Sequence, residues 1–264
     1  VIIKAKFWFF WKTGYFWLID GLLYQSREEM LISVVVPAHN EEKYIRNCLD
    51  SLRNQSLDRN QYEIIVVDNA STDRTPYIAE GMGARVISQP QKGVAMARQT
   101  GFMAARGGIM ASTDADSVVA PDWLEVISDF FATNPEFIGI TGSIRLLGGT
   151  KLDQIVARYG SSAFLKVNIA LGKSHFAGVN FAVRKEAFLK VGGFDLFQKS
   201  AEDFILSLRL KGIGKIAFCP EMITYTSARR IENRGRIEFV KHTLNNYIRV
   251  GWLRKTALEF EDIR

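Results

Sequence analysis

The chain has 264 residues, 47% of them hydrophobic and 23% charged, with 34 Lys and Arg against 28 Asp and Glu for a formal net charge of +6. That length and balance fit one large α/β domain with a full core and exclude a disordered or low-complexity chain. The basic sum suits a phosphate-bearing ligand, an anionic membrane surface or nucleic acid without choosing among them. Cys48 and Cys219 sit in apolar patterns and are too few for a disulfide framework, so free thiols in a reducing compartment are expected. His39, His175 and His242 are scattered and offer no zinc spacing.

Residues 1–29 are unlike the rest. The run VIIKAKFWFFWKTGYFWLIDGLLYQ is aromatic-rich but broken by Lys4, Lys6, Lys12 and Asp20. It supplies no uninterrupted stretch of ~20 apolar residues and no small-residue cleavage site. Two readings stay open: an interfacial anchor with Trp and Phe at headgroup level, or sequence upstream of a true start at Met30.

From Met30 strands and helices alternate. Leu31 to Val36 is a β-branched run ending at Pro37, which predicts a strand buried on both faces. Asn40 then looks like a helix cap, with acids at Glu41 and Glu42 and apolar residues at Ile45, Cys48, Leu49 and Leu52. A second strand is predicted over Tyr62–Val67, with Ser71-Thr72-Asp73 and Pro76 opening a helix. A third short strand covers Ala84–Ile87, and an Ala-rich helix runs from Val94 to about Ala105. Gly108–Ala111 is a fourth strand that delivers Ser112-Thr113-Asp114-Ala115-Asp116-Ser117. In an extended segment Asp114 and Asp116 point to one side and crowd like charges, so something must neutralise them.

Pro121-Asp122-Trp123 starts a helix facing Leu124, Ile127, Phe130 and Phe131 to the core, and Phe137–Thr141 returns as a strand. Leu152–Leu171 reads as helical and Phe176–Val183 as extended. A helix over Ala201–Leu210 and a strand over Lys215–Tyr225 follow. From Ile237 to Trp252 the residues Ile237, Val240, Leu244, Tyr247, Ile248, Gly251 and Trp252 form a helical stripe, with Lys241, His242, Asn245 and Arg249 opposite. In an α/β sheet ligands collect at the carboxyl ends of strands, where Asp68 and Asp114 both stand.

VVVPAHNEE, VVDNASTDRT, TDAD, GVNFAVRKEAF with GGFD, and AEDFILSLRL occur in that order. Together they resemble glycosyltransferase family 2 enzymes of the GT-A fold over roughly Leu31 to Arg230. The resemblance implies an α/β, Rossmann-like mixed and mostly parallel sheet flanked by helices in a single domain. It places the catalytic unit at residues 30–230 and leaves 231–264 as a basic amphipathic helix. It also implies inverting transfer of one sugar from a UDP- or GDP-linked donor to a glycan hydroxyl or lipid-linked phosphate, with Mg²⁺ or Mn²⁺.

Carried across by position, Pro37, His39 and Glu41 resemble the loop that holds the nucleoside, and Asp68 the carboxylate that reads the base. Lys92, Gly93 and Arg98 resemble the segment approaching ribose and phosphate, although Lys92 has a second reading as a plain surface lysine. Asp116 matches the metal ligand with Asp114 nearby on the metal, sugar or ribose. Asp203 matches the catalytic base at a helix start, with Glu202 as a stand-in. Gly178 and Asn180 resemble the acceptor side, Asn180 being open also to a bulge or turn role. Arg229 and Arg230 resemble basic residues that fold over the diphosphate.

No Gln-x-x-Arg-Trp occurs, which favours single-sugar transfer over polymer extrusion. A non-catalytic nucleotide-sugar-binding protein on the same fold is the alternative; the presence of Asp114, Asp116 and Asp203 argues against it. The dispersed basic residues argue against a nucleic-acid partner. The expected location is the cytoplasm, or the cytoplasmic face of a membrane held through the C-terminal helix and the aromatic N-terminal segment.

Overall fold

The computed structural model describes residues 16–19, 22–25, 32–170, 175–198 and 200–251. Strands β1 (Phe16–Ile19) and β2 (Leu22–Gln25) pair antiparallel in a small sheet. The remainder of the aromatic segment, and Trp252 onward, lie outside the described residues.

The first half of the main unit follows the predicted alternation. Strand β3 (Ile32–Ala38) leads to α1 (Ile45–Arg53), β4 (Tyr62–Asp68) to α2 (Thr75–Gly81), and β5 (Arg85–Ser88) to α3 (Val94–Ala104). Strand β6 (Ile109–Ser112) is followed by a short β7 (Ser117–Val119) and α4 (Trp123–Thr133). Next come β8 (Phe137–Leu147), α5 (Lys151–Ile155), a π-helical stretch over Val156–Ser161, and α6 (Ser162–Ala170). The chain continues through β9 (Phe181–Arg184), α7 (Lys185–Lys190), α8 (Glu202–Lys211), β10 (Lys215–Ser227), α9 (Arg229–Arg234) and α10 (Arg236–Gly251).

Among the described residues the main sheet has eight strands in the order β5-β4-β3-β6-β9-β8-β10-β7. Only β9 and β7 run against the others, so the sheet is mixed and mostly parallel, as expected. Its first strands are buried on both faces because successive side chains point opposite ways. Val34, Val36, Ile64 and Val66 enter one core with Ile45, Leu49 and Leu52 of α1. Val35, Ile65 and Val67 enter the other with Ala97 and Phe102 of α3. Each such buried Val, Leu or Ile contributes about 1.5–3 kcal/mol.

Four expectations change. Helix α1 starts at Ile45, not at Asn40, and Asn40 is in the left-handed region at φ 54°. Its side chain cannot cap the helix because Oδ1 accepts the Thr72 N–H at 2.8 Å from the next loop. The predicted extended run from Phe176 shortens to β9, because Ala177 to Asn180 closes a tight turn through Asn180 N–H to Ala177 O at 2.7 Å. Strand β8 continues past Thr141 to Leu147, where β10 gives its backbone a parallel partner. The apolar stripe of α10 splits: Tyr247 packs on Phe164 and Phe204, while Ile237, Val240 and Leu244 are exposed. The first turn of α10 is instead held by an ion pair from Arg236 to Asp153.

Candidate active site

Parallel register brings three strand ends to one edge, since Ala38 pairs with Asp68 across β3 and β4, and Val35 with Ser112 across β3 and β6. The loops after β3 and β4 are then stitched together. The Asn40 N–H donates to Ser71 Oγ at 3.0 Å, and the Glu41 N–H to Thr75 Oγ1 at 2.7 Å. Among the described residues the non-glycine positions with positive φ are Asn40, Ala70 and Ala201. All three adjoin candidate acids: Glu41, the Asp68 loop, and the Glu202-Asp203 helix start. Left-handed backbone costs an L-residue roughly 1–2 kcal/mol, and such strain collects where surrounding structure must aim functional groups.

The acids converge on two arginines. Arg98, on α3, is buried; it is paired through Nη1 with Glu202 and through Nη2 with Asp114 Oδ1 at 2.6 Å, and donates to Gly178 O at 3.0 Å. Arg229, at the start of α9, forms a bidentate fork on Glu41 at 3.0 and 2.6 Å and reaches Asp116 Oδ2 at 3.0 Å. Asp203 stands beside Arg98 and accepts the Phe204 N–H at 2.8 Å. Gly178 makes the junction possible, because a Cβ there would meet Arg98 Nη1 at 2.8 Å and Asp203 Oδ2 at 2.9 Å.

The crowding predicted for Asp114 and Asp116 is thus resolved by geometry. Strand β6 ends at Ser112, and a turn closed by Ser117 N–H to Asp114 O at 3.1 Å sends the two carboxylates to different arginines. The neutralisation is incomplete. Burial, then Asp114 and Glu41, push the Asp116 carboxyl up to about 6 against the pull of Arg229. Burial pushes Glu202 up to about 7 against Arg98, with Asp203 adding to the rise. Asp203 is raised as well, by burial first, with Arg98 opposing. Glu41, Asp114, Asp116, Glu202 and Asp203 therefore form a cluster short of positive charge.

That donor set fits a hard divalent cation that takes one or two carboxylates and draws its remaining ligands from a phosphate-bearing molecule and water. Among the described residues no group of three or more His, Cys, Asp or Glu is placed to hold a metal by itself. Asp116 and Asp114 are the carboxylates available for the purpose.

The other predicted residues fall as follows. Pro37 and His39 lie half-buried at the end of β3, and the Asp68 carboxylate accepts the Ser71 N–H at 3.3 Å. Gly93 has φ 143°, a conformation that glycine alone adopts without strain, at the head of α3, and Lys92 beside it is exposed. Arg230 is exposed and lends Asp116 a weaker attraction than Arg229 does. Arg98 departs from the expectation of a phosphate-facing cation, because its guanidinium is buried among carboxylates. Glu202 is likewise buried, paired with Arg98.

Asn180 is a further correction. It is fully buried, accepts the Trp123 indole N–H at 2.8 Å, and donates to Ser143 O at 2.9 Å and Met222 O at 2.8 Å. With both amide hydrogens used, it joins β9, β8 and β10 and has none to offer an acceptor. Asn180→Ala is expected to cost about 3 kcal/mol from the orphaned polar groups, lowering Tm by roughly 10 °C. Thermal unfolding checks this; an unchanged Tm with reduced turnover would restore the acceptor role.

Asn69 escaped the sequence reading. Its Nδ2 donates to Gln89 O at 3.0 Å and Gln91 O at 2.7 Å, while Oδ1 accepts the Gly93 N–H at 2.8 Å. One buried amide therefore sets the position of the loop carrying Lys92 and Gly93. The only sequence signal was an amide directly following a strand-end carboxylate.

Comparison with known proteins places these features among relatives. The family model described as Glycosyl transferase family 2 matches residues 33–192. Glycosyltransferase AglE of Haloferax volcanii is 31% identical over 174 residues, covering 62% of this chain and 55% of that protein. S. aureus TarS 1–349 in complex with UDP-GlcNAc superposes with a TM-score of 0.64 at 21% identity, over 75% of this chain and 58% of that one. The mannosyltransferase PcManGT from Pyrobaculum calidifontis, in complex with GDP-Man and Mn²⁺, gives 0.61 at 23% identity, over 75% and 56%. The chain thus spans little more than half the length of these proteins, and its fold is theirs, the GT-A sheet.

Proposed function

Because the chain belongs to glycosyltransferase family 2, we propose that it moves a single sugar from a UDP- or GDP-linked donor to a hydroxyl or lipid-phosphate acceptor, with inversion at the anomeric carbon. The catalytic unit is assigned to residues 30–230, with residues 231–264 appended to it. The observation that carries this reading is the convergence of Glu41, Asp114, Asp116 and Asp203 on one sheet edge around two arginines. The donors in the two similar solved structures, UDP-GlcNAc and GDP-Man, support the donor class.

Asp68, Pro37 and His39 take the nucleoside, and the Asn69-clamped loop with Gly93 and Lys92 lies along ribose and phosphate. Arg229 and Arg230 answer the diphosphate from the C-terminal side. Asp116, with Asp114, is suited to hold Mg²⁺ or Mn²⁺, which when bound offsets charge growing on the departing nucleoside diphosphate. Arg98 fixes Asp114 without itself facing the donor. Asp203 accepts the proton of an incoming hydroxyl beside the Gly178 turn. The absence of Gln-x-x-Arg-Trp supports release after one transfer. Among the described residues no helix is long and apolar enough to cross a membrane. The proposed location, the cytoplasm or the cytoplasmic face of a membrane, rests on the nucleotide-sugar donor class.

A panel of UDP- and GDP-sugars, scored by binding and slow hydrolysis, tests the reading. One donor is expected to bind with loss on chelation and recovery with Mg²⁺ or Mn²⁺. Binding indifferent to metal would remove Asp116 from that role, and no binding by any donor would overturn the proposal.

A further inference from the structure

The helical arm formed by α5, the π stretch and α6 turns an apolar face to solvent. Leu152, Ile155, Val156 and Tyr159 recur at the spacing of one helix face and are 52%, 55%, 46% and 62% exposed. Val167, two turns on, is also exposed. The inward side carries Asp153, Ala157 and Ser161 along α5 and the π stretch, and only in α6 adds the apolar Phe164 and Leu165 beside Asn168. Asp153 is tied to Arg236 and Thr150, Asn168 accepts from the Tyr247 hydroxyl, and Phe164 packs on the Tyr247 ring, so the inward side of the arm is already occupied by α10.

Charge along the arm is one-sided too. Between residues 150 and 170 the only acid is the buried Asp153, whereas Lys151, Arg158 and Lys166 are exposed. Lys151 adjoins Leu152 and Arg158 lies over the Tyr159 ring at 5.3 Å, so two of these cations border the apolar stripe, while Lys166 lies over Phe218 of β10. An apolar face rimmed by cations, with a tyrosine among its aliphatic residues, is the pattern of a helix lying in a lipid interface. A second copy of the chain is a poorer occupant, because antiparallel stripe-to-stripe packing would bring cations toward each other with no acid on the face to pair them.

We propose that the outer face of residues 151–167 lies on an anionic lipid surface. The arm springs from the site rim. Leu147 O accepts the Ala228 N–H at 3.0 Å, and the next residue, Arg229, grips Glu41 and Asp116. A bilayer under the arm therefore lies beside the acidic site, where a lipid-linked acceptor would be presented; this consequence rests on the transferase reading, whereas the surface itself does not.

Vesicle flotation of the full chain tests it, using phosphatidylcholine vesicles with and without phosphatidylglycerol. The wild-type chain is expected to float with the anionic vesicles. Lys151→Gln with Arg158→Gln should lose roughly thirtyfold in partitioning at about 1 kcal/mol per cation near the surface. Ile155→Glu with Tyr159→Glu should abolish flotation while keeping the wild-type Tm and donor hydrolysis. Flotation of that variant equal to wild type, absence of wild type from the floated fraction, or a wild-type dimer that the variant dissolves would each overturn the proposal. Loss of donor hydrolysis in the wild type would instead count against the transferase reading alone.

Discussion

Asp203→Asn is expected to lower kcat for transfer to a hydroxyl acceptor by about a thousandfold, within the ~10²–10⁴ that a positioned general base contributes. The amide keeps the size of the side chain beside Arg98 and Gly178, so donor affinity and Tm should stay close to wild type. The loss belongs to the chemical step: an acceptor hydroxyl must give up its proton as it attacks, and Asn cannot take it. The pH–rate profile carries a second signature. Burial raises the Asp203 carboxyl above the ordinary carboxylate range, and a base works only when ionised. Wild-type activity should therefore fall as pH is lowered through that raised value, at a pH where a solvated aspartate would still be charged. The variant should lack this acid limb. Near-normal turnover in Asp203→Asn would identify a phosphate acceptor, which is already ionised and needs no base, or a base elsewhere.

Arg98→Met should be the most damaging change to both stability and activity. Removing one partner of a buried ion network leaves its carboxylates uncompensated, at a cost of about 3–5 kcal/mol. Asp114, Glu202 and Asp203 would all lose their common cation. The expected readout is a Tm lower by roughly 10 °C or more, with kcat/KM reduced in the molecules that remain folded. Glu202→Gln added to Arg98→Met should recover part of the Tm, since it deletes the acid most deeply paired with Arg98, but should not recover activity, because Asp114 stays unanchored. Arg98→Lys keeps the charge without the fork and should fall between. A wild-type Tm in Arg98→Met together with weakened donor binding would return Arg98 to the diphosphate-facing role that its place in the chain suggested.

Much of the framework was legible because it is local. A β-branched run ending at Pro37, the apolar spacing of Ile45, Cys48, Leu49 and Leu52, and acids following Val67 and Ala111 are short-range patterns, and the strands and helices formed where those patterns lie. The start of α1 was misread because an Asn before two acids has the composition of a cap, while the loop after β4 offered Asn40 a partner that no local pattern contains. The short β9 and the added β7 depended on which strands became neighbours.

The chain alone determined the order of elements, the sheet edge at which polar residues gather, and the acids standing there, for these follow from backbone periodicity over a few residues. Which charge meets which was decided only by the tertiary structure. Arg98 and Glu202 lie 104 positions apart, and Arg229 and Glu41 188. A side chain's partner depends on the crossing of distant segments, and burial then sets whether that partner is a solvated neighbour or the one ion holding a carboxylate in place. For this reason neither the pairing of Arg98 with Glu202 and Asp114 nor that of Asn180 with Trp123 could be read from the chain.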